Sequence, residues 1–147
     1  MKAWLDIPPA WLLLFLGLSW LQATLLPVGP VLLTQPFGFG LIFTGLLAMV
    51  AAVWEMRRHK TTVIPRRKPR NIVTGGVFTL SRNPIYLGDA LVLAGASLYW
   101  GALPSLVLVP VFMWLINWRF IEEEEASLRA AFADEFAAYE KETRRWL

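Results

Sequence analysis

Thr74 to Gly88 reads TGGVFTLSRNPIYLG, the stretch in which a strongly basic loop gives way to an apolar helix. Pro84 suits a first helical turn because it lacks the amide hydrogen that such a position leaves unpaired, and Asn83 before it is a good N-cap. A helix is therefore predicted to start at Asn83. Its exposed amides and the positive end of its dipole then point back toward Arg82, an arrangement suited to an anionic group such as a carboxylate. Tyr86, three residues after Asn83, faces the same side. Gly75 and Gly76 allow a tight turn or a close approach to a ligand. On these residues alone Arg82 reads equally as an anchor for lipid phosphate.

Outward from this stretch, the composition defines the class. The chain has 147 residues, 56% of them hydrophobic, with 8 Trp, too apolar for an ordinary small soluble domain. With no Cys and a single His, His59, it has neither a disulfide framework nor the residues of a thiolate or His-rich metal site, so no metal is expected. The net charge of +3 hides an asymmetry. Eight of the 14 basic residues, Arg57, Arg58, Lys60, Arg66, Arg67, Lys68, Arg70 and Arg82, fall in one loop, where anionic lipid headgroups explain them better than nucleic acid does.

Four apolar runs flank that loop. Residues 10–26 are uncharged and measure about 26 Å as a helix, enough to span. A signal peptide is disfavoured, since the run lacks a basic leading region and a small-residue cleavage site before Pro27. Pro27 to Pro36 reads as a short turn, and 37–54 as a second span that Glu55 ends, with Gly38, Gly40 and Gly45 offering small patches for helix contact. Residues 84–99 form a third span carrying Asp89, costly in a membrane and hence either a site residue or a partner of Arg82. After a turn at Trp100 to Pro104, 103–120 returns, with Pro110 as an expected kink. All the Lys and Arg then lie on one side, which the positive-inside rule makes cytoplasmic together with both termini. Trp4, Trp54, Trp100, Trp114 and Trp118 fall at span ends, as an interfacial belt requires. In the loop, TTVIP and NIVTGGVF have extended character, and Pro65 and Pro69 exclude a continuous helix.

From Glu122 the composition changes to EEEEASLRAAFADEFAAYEKETRRWL. Leu128, Phe132, Phe136 and Tyr139 recur at helical spacing, predicting one amphipathic helix over about 122–143 that opens on glutamates. Glu125 lies on its apolar face, where a carboxylate needs a partner such as a cation of the basic loop. Glu122 lies near that face and Glu124 points more sideways. The expected fold is an all-α integral membrane domain over residues 1–147, with four transmembrane helices and a cytoplasmic amphipathic C-terminal helix.

SRNPIYLG followed by EExxLxxxFxxxFxxY and RRWL resembles the isoprenylcysteine carboxyl methyltransferase and phospholipid methyltransferase superfamily of small prokaryotic-type membrane enzymes. The likeness runs from about His59 to Leu147 and includes HKTTVIP and IVTGGVF; the first two spans match in hydropathy alone. It implies S-adenosylmethionine as cofactor, bound at the cytoplasmic face of a prokaryotic inner membrane by Arg82, Asn83, Pro84, Tyr86, Gly88, Glu124, Glu125 and Tyr139. It further implies methyl transfer to a lipophilic acceptor, an isoprenylcysteine-like carboxylate or a lipid amine. A carboxylate needs no general base; an amine must first lose a proton, for which Asp89 or Glu125 is the candidate. The sequence departs from the usual pattern at Ala133, Phe136 and Asn83. Two other readings compete. Membrane sterol reductases using NADPH share a helix start that Leu87-Gly88-Asp89 loosely echoes, and a non-catalytic membrane adaptor accounts for the spans but not for Glu125 on an apolar face.

Overall fold

The computed structural model describes residues 6–147, so Trp4 lies outside the described residues. Helix α1, Pro8–Leu25, begins with two prolines in its first turn, where their missing amides cost nothing. Helix α2, Val31–Arg58, is longer at both ends than 37–54. The turn between them is correspondingly shorter than Pro27 to Pro36. Pro36 lies inside α2 as its sixth residue, where little of the hydrogen-bond ladder precedes it. Glu55 does not end the helix: it is buried against Gly76 of the loop and lies near His59 Nδ1, one turn further on, at 3.5 Å.

The basic loop forms no strand, and its VF segment winds into a 3-10 turn, Gly76–Thr79. Of the two glycines only Gly76 needs glycine's freedom, with φ +59 and the Glu55 carboxylate where a Cβ would sit. Helix α3, Pro84–Tyr99, starts where predicted. A 3-10 segment, Leu103–Val107, leads into α4, Leu108–Ile116. Pro110 falls in the first turn of α4, just after the 3-10 segment, and a further departure from α geometry comes later, in a π-turn at Asn117–Ile121.

The last helix differs from its expected form. Through the π-turn, α4 continues without a break into α5, Glu122–Ala131, so the four glutamates lie inside a helix rather than at its start. The chain then bends at Phe132 (φ −139, ψ 53) and α6, Ala133–Glu142, follows. Two short helices therefore replace the single one over 122–143. Folding back at Phe132 buries Phe136 and Tyr139 with Phe78, Val73 and Ala52.

Three helical stretches are long and apolar enough to cross a membrane: Pro8–Leu25, Val31–Arg58 and Leu103–Ala131, while α3 is shorter. Their outward faces carry exposed Leu14, Trp20, Phe37, Phe43 and Trp114, the surface of an integral membrane protein. The short turns meet at one end, where Val28 bridges Ala102. Asp6, the basic loop and α5–α6 gather at the other.

Helix α3 is the centre of the bundle. It packs closest on α2 through two reciprocal glycine pairs: a Cβ on Gly38 would lie 2.5 Å from the Gly95 carbonyl oxygen, and one on Gly45 2.7 Å from that of Gly88. The pairs sit seven residues apart on each helix, two turns of an antiparallel crossing. Gly40, by contrast, faces open space. On its other side α3 meets α1 and α4 around Phe15, Leu93, Phe112, Ile116 and Phe120. Buried polar contacts tie α1 in: Ser19 and Ser97 hydroxyls lie 2.8 Å apart, and Gln22 Oε1 accepts from Ser105 Oγ at 2.8 Å. Away from water such bonds hold helices together where the hydrophobic effect does not.

Candidate active site

Where α3 begins, the loop Thr61–Asn71, the end of α2 and helices α5 and α6 enclose a cavity of about 410 Å³. Arg82, Asn83, Pro84, Tyr86, Asp89, Glu124, Glu125 and Tyr139 all line it. Gly88 does not; it faces α2, where a Cβ would lie 2.6 Å from both the Gly45 carbonyl and Met49 Cγ, so it sets how near α3 lies to α2.

The most buried carboxylate at the site is Glu125, 2% exposed. Its Oε1 accepts from Arg82 Nη2 at 3.0 Å and Arg145 Nε at 3.1 Å, and its Oε2 from Arg145 Nη2 at 2.6 Å. The partner expected from the basic loop is thus Arg82, joined by Arg145 of the tail. Arg82 further donates to the Thr143 carbonyl at 2.8 Å, which closes its guanidinium between α5 and the tail. Asp89 does not pair with it.

The α3 start is held by the same tail. Asn83 occupies the N-cap position without capping by its side chain. Instead its Nδ2 donates to the Arg145 carbonyl at 3.0 Å, and Ser81 Oγ donates to that carbonyl at 3.2 Å. The first-turn amides of α3 are left without a side-chain cap, and Asn83 to Tyr86 all line the cavity. One turn on, Tyr86 Oη donates to Glu124 Oε1 at 2.6 Å, a charge-assisted bond that joins the two sequence motifs. Tyr139 presents its ring to the cavity and donates its hydroxyl to the Phe78 carbonyl at 2.6 Å, and burial pushes that hydroxyl above its ordinary pKa.

A second cluster closes the outer edge. Asp6 accepts from Arg119 Nη2 at 2.8 Å and from Arg66 Nη1 at 2.9 Å. Arg66, at φ +61, also donates to Glu123 at 3.2 Å and lies over the Phe120 ring at 4.8 Å. Thus the loop that roofs the cavity is tied to α1 and α5. Sequence reasoning gave this cluster no role, and Arg145 only a place in RRWL, yet two carried a signal: Asp6 is the only acid before Glu55, and Arg119 the only base between Arg82 and Arg129. Arg119 foremost, with Arg66 and Trp11 and against some desolvation, holds the Asp6 carboxyl well below the usual carboxylate range. Such a depressed group stabilises the fold above its unfolded pKa of about 3.9 and ceases to as the pH falls through the folded value. Asp6→Asn should therefore cost about 1 kcal/mol, typical of a partly exposed network, by an amount constant from about pH 5 to 8. Thermal unfolding of both proteins across that range and down to about pH 2, over whose acid end the difference should shrink steadily, checks it.

Compared with known proteins, the chain matches no curated protein and no solved structure. Residues 33–135 match the phospholipid methyltransferase family, and this span takes in α2, the basic loop, α3, α4 and the glutamates of α5. With that match covering most of its length, the chain belongs to the phospholipid methyltransferase family.

Proposed function

We propose that the protein transfers a methyl group from S-adenosylmethionine to a lipid-type acceptor in the cavity beside the α3 start. What carries the reading is the convergence of the SRNPIYLG and Glu-Glu segments on one cavity, through the Tyr86–Glu124 and Arg82–Glu125 bonds. The lining fits the cofactor's chemistry. S-adenosylmethionine has a sulfonium, an ammonium and a carboxylate; the cavity offers Glu124 without a cation partner among the described residues, uncapped helix amides, and aromatic and apolar walls. When bound, the cofactor supplies a methyl group on a sulfonium that departs as a neutral thioether.

The α3 amides, backed by Arg82, receive the carboxylate. Glu124, oriented by Tyr86, receives the ammonium, since Glu125 is already neutralised by Arg82 and Arg145. The Tyr86 and Tyr139 rings supply walls toward the sulfonium and adenosine. Glu125 acts as a positioning residue that fixes α3 against the tail, and the roof of Thr61–Asn71 keeps water from the reacting atoms. The positive-inside rule puts this end, with both termini, on the cytoplasmic side of a prokaryotic inner membrane. In that arrangement α3 is the fourth span. At about 24 Å it falls short of a core of about 30 Å, and its packing among the longer helices offsets the deficit.

The deciding experiment is calorimetric titration of the detergent-solubilised protein with S-adenosylhomocysteine beside NADPH. Micromolar affinity for the first and none for the second is expected; binding of NADPH alone would move the chain to the reductases. Tyr86→Ala should weaken S-adenosylhomocysteine by about tenfold or more while the helices stay folded, through loss of the ring and of Glu124's orientation. An unchanged affinity in a folded variant removes Tyr86 from the site.

A further inference from the structure

The loop Thr61–Asn71 is fixed at its two ends and at one point between them. Asn71 Nδ2 donates to the His59 carbonyl at 2.6 Å and Asn71 N to Thr61 Oγ1 at 3.5 Å, while Thr61 N donates to the Met56 carbonyl of α2 at 3.0 Å. Residues 62–70 make no backbone–backbone hydrogen bond among the described residues. Every hydrogen bond from that stretch to the rest of the described chain passes through the Arg66 side chain: to Glu123 Oε2 at 3.2 Å, to Asp6 Oδ2 at 2.9 Å and to the Asp6 carbonyl at 3.3 Å. No residue of 61–71 belongs to either buried apolar cluster. Few apolar contacts and a backbone without a hydrogen-bond ladder are the marks of a segment that opens while the rest of the fold stays closed.

The Arg66 attachment can release at small cost. Glu123 is 57% exposed, unlike the buried carboxylate of Glu125, so its attraction to Arg66 is weak and screened by salt. Asp6 keeps Arg119 Nη2 at 2.8 Å when Arg66 leaves, and no carboxylate is stranded. Lys60 and Arg66 are the two non-glycine residues of positive φ among the described residues, +53 and +61. A residue with a side chain holds that conformation where its surroundings enforce it, and release lets both relax. The same loop lines the cavity from Thr61 to Arg67. The rest of the wall comes mainly from α2, α3, α5 and α6, whose Ala52, Tyr86, Leu128 and Phe136 belong to the packed clusters. A charged ligand therefore meets the least resistance at the roof.

We propose that Thr61–Asn71 is a hinged lid over the cavity, latched by Arg66 to Asp6 and Glu123, and that polar ligands enter and leave by its opening. Pro65 and Pro69 stiffen the stretch on either side of the latch, so it swings as a unit about Lys60 and Asn71. With the latch closed, Asp6 ties the lid to the start of α1 and Glu123 ties it to the helix that carries Glu124 and Glu125. The passage of S-adenosylmethionine by this route rests on the methyl-transfer reading above, whereas the opening itself does not.

The chain has no Cys, so one introduced thiol reports the opening. Val63 is partly buried, and Ile64 beside it is 52% exposed. In detergent-solubilised protein without ligand, Val63→Cys should react with a neutral polyethylene-glycol maleimide at least about tenfold faster once Arg66→Gln is added, and Ile64→Cys should change by less than about twofold. Raising salt from about 0.05 to about 0.5 M should speed the Val63→Cys reaction at least about threefold with Arg66 in place, and leave it unchanged with Arg66→Gln. A Val63→Cys rate that neither Arg66→Gln nor salt moves relative to Ile64→Cys overturns the proposal, and the salt arm decides it if Arg66→Gln does not fold. With S-adenosylhomocysteine, Arg66→Gln should speed association and dissociation together by at least about fivefold and shift Kd by less than about threefold. Faster dissociation alone would make Arg66 a ligand contact and overturn the latch. A lid that opens on a protein that never binds S-adenosylhomocysteine supports the latch and overturns the methyl-transfer reading instead.

Discussion

Gly45→Leu is expected to lose more than about 3 kcal/mol of stability, a fall of roughly 6–12 °C in unfolding midpoint for a chain of this size. The side chain would begin 2.7 Å from the Gly88 carbonyl oxygen and 3.1 Å from Leu91 Cβ and Val92 Cγ2. A flexible neighbour could move aside, but a helix backbone cannot do so alone, and α2 must part from α3 as a body. The damage extends to the cavity, because Gly88 lies between Tyr86 and Asp89, and Met49 and Val53 of α2 form its wall. Gly40→Leu is the control, since a Cβ there meets nothing within 4 Å. Thermal unfolding and size-exclusion profiles of the two variants in one detergent decide the matter. If Gly45→Leu melts within about 2 °C of wild type, the glycine crossing is not what sets the helix spacing.

Glu125→Gln should cost about 3 kcal/mol or more, because it takes from Arg82, only 11% exposed, its nearer carboxylate and leaves only Glu140 at 3.9 Å. Arg145 loses both of its bonds to the carboxylate at the same time. The tail over Thr143–Arg145 should then lift from the α3 start, taking with it the carbonyl that holds Ser81 and Asn83. Trypsin cleavage after Arg145 is expected to rise at least about tenfold, following the cost of opening the tail, while the spans persist in circular dichroism. A double-mutant cycle with Arg145→Gln separates this from a local packing loss: coupling of about 1 kcal/mol or more is expected, and strict additivity would mean that the pair does not hold the tail.

Much of this architecture was legible in the chain. The apolar runs and the collection of basic residues in one loop located α1, α2 and α4, and Asn83-Pro84 marked the start of α3. The helical period of Leu128, Phe132, Phe136 and Tyr139 put Glu125 on the face with Phe136 and Tyr139, and all three are buried. Other features were not legible, for physical reasons. A helix that starts at four glutamates and one that passes through them have the same local sequence, and only the π-turn behind Phe120 and Ile121 tells them apart. Phe132 carries no breaker residue; the bend there follows from burying Phe136 and Tyr139 against Phe78. The side chain of Asn83 left its capping role because Arg145, 62 residues later, supplied a carbonyl. Glu55 stayed within α2 because Gly76 lets the loop lie against it.

The tail that closes over the α3 start also governs when the site comes into being. Arg82 and Asn83 find their partners at Glu125, Thr143 and Arg145, so during synthesis they wait while the later residues are made. At translation rates of roughly 5–20 residues per second, the 62 residues from Asn83 to Arg145 take roughly 3–12 s. Throughout that interval the earlier helices can enter the bilayer and pack through their glycines, but the cavity still lacks one wall. The nascent chain is thus a membrane protein before it is a binding site, and it acquires its chemistry only after its place in the bilayer.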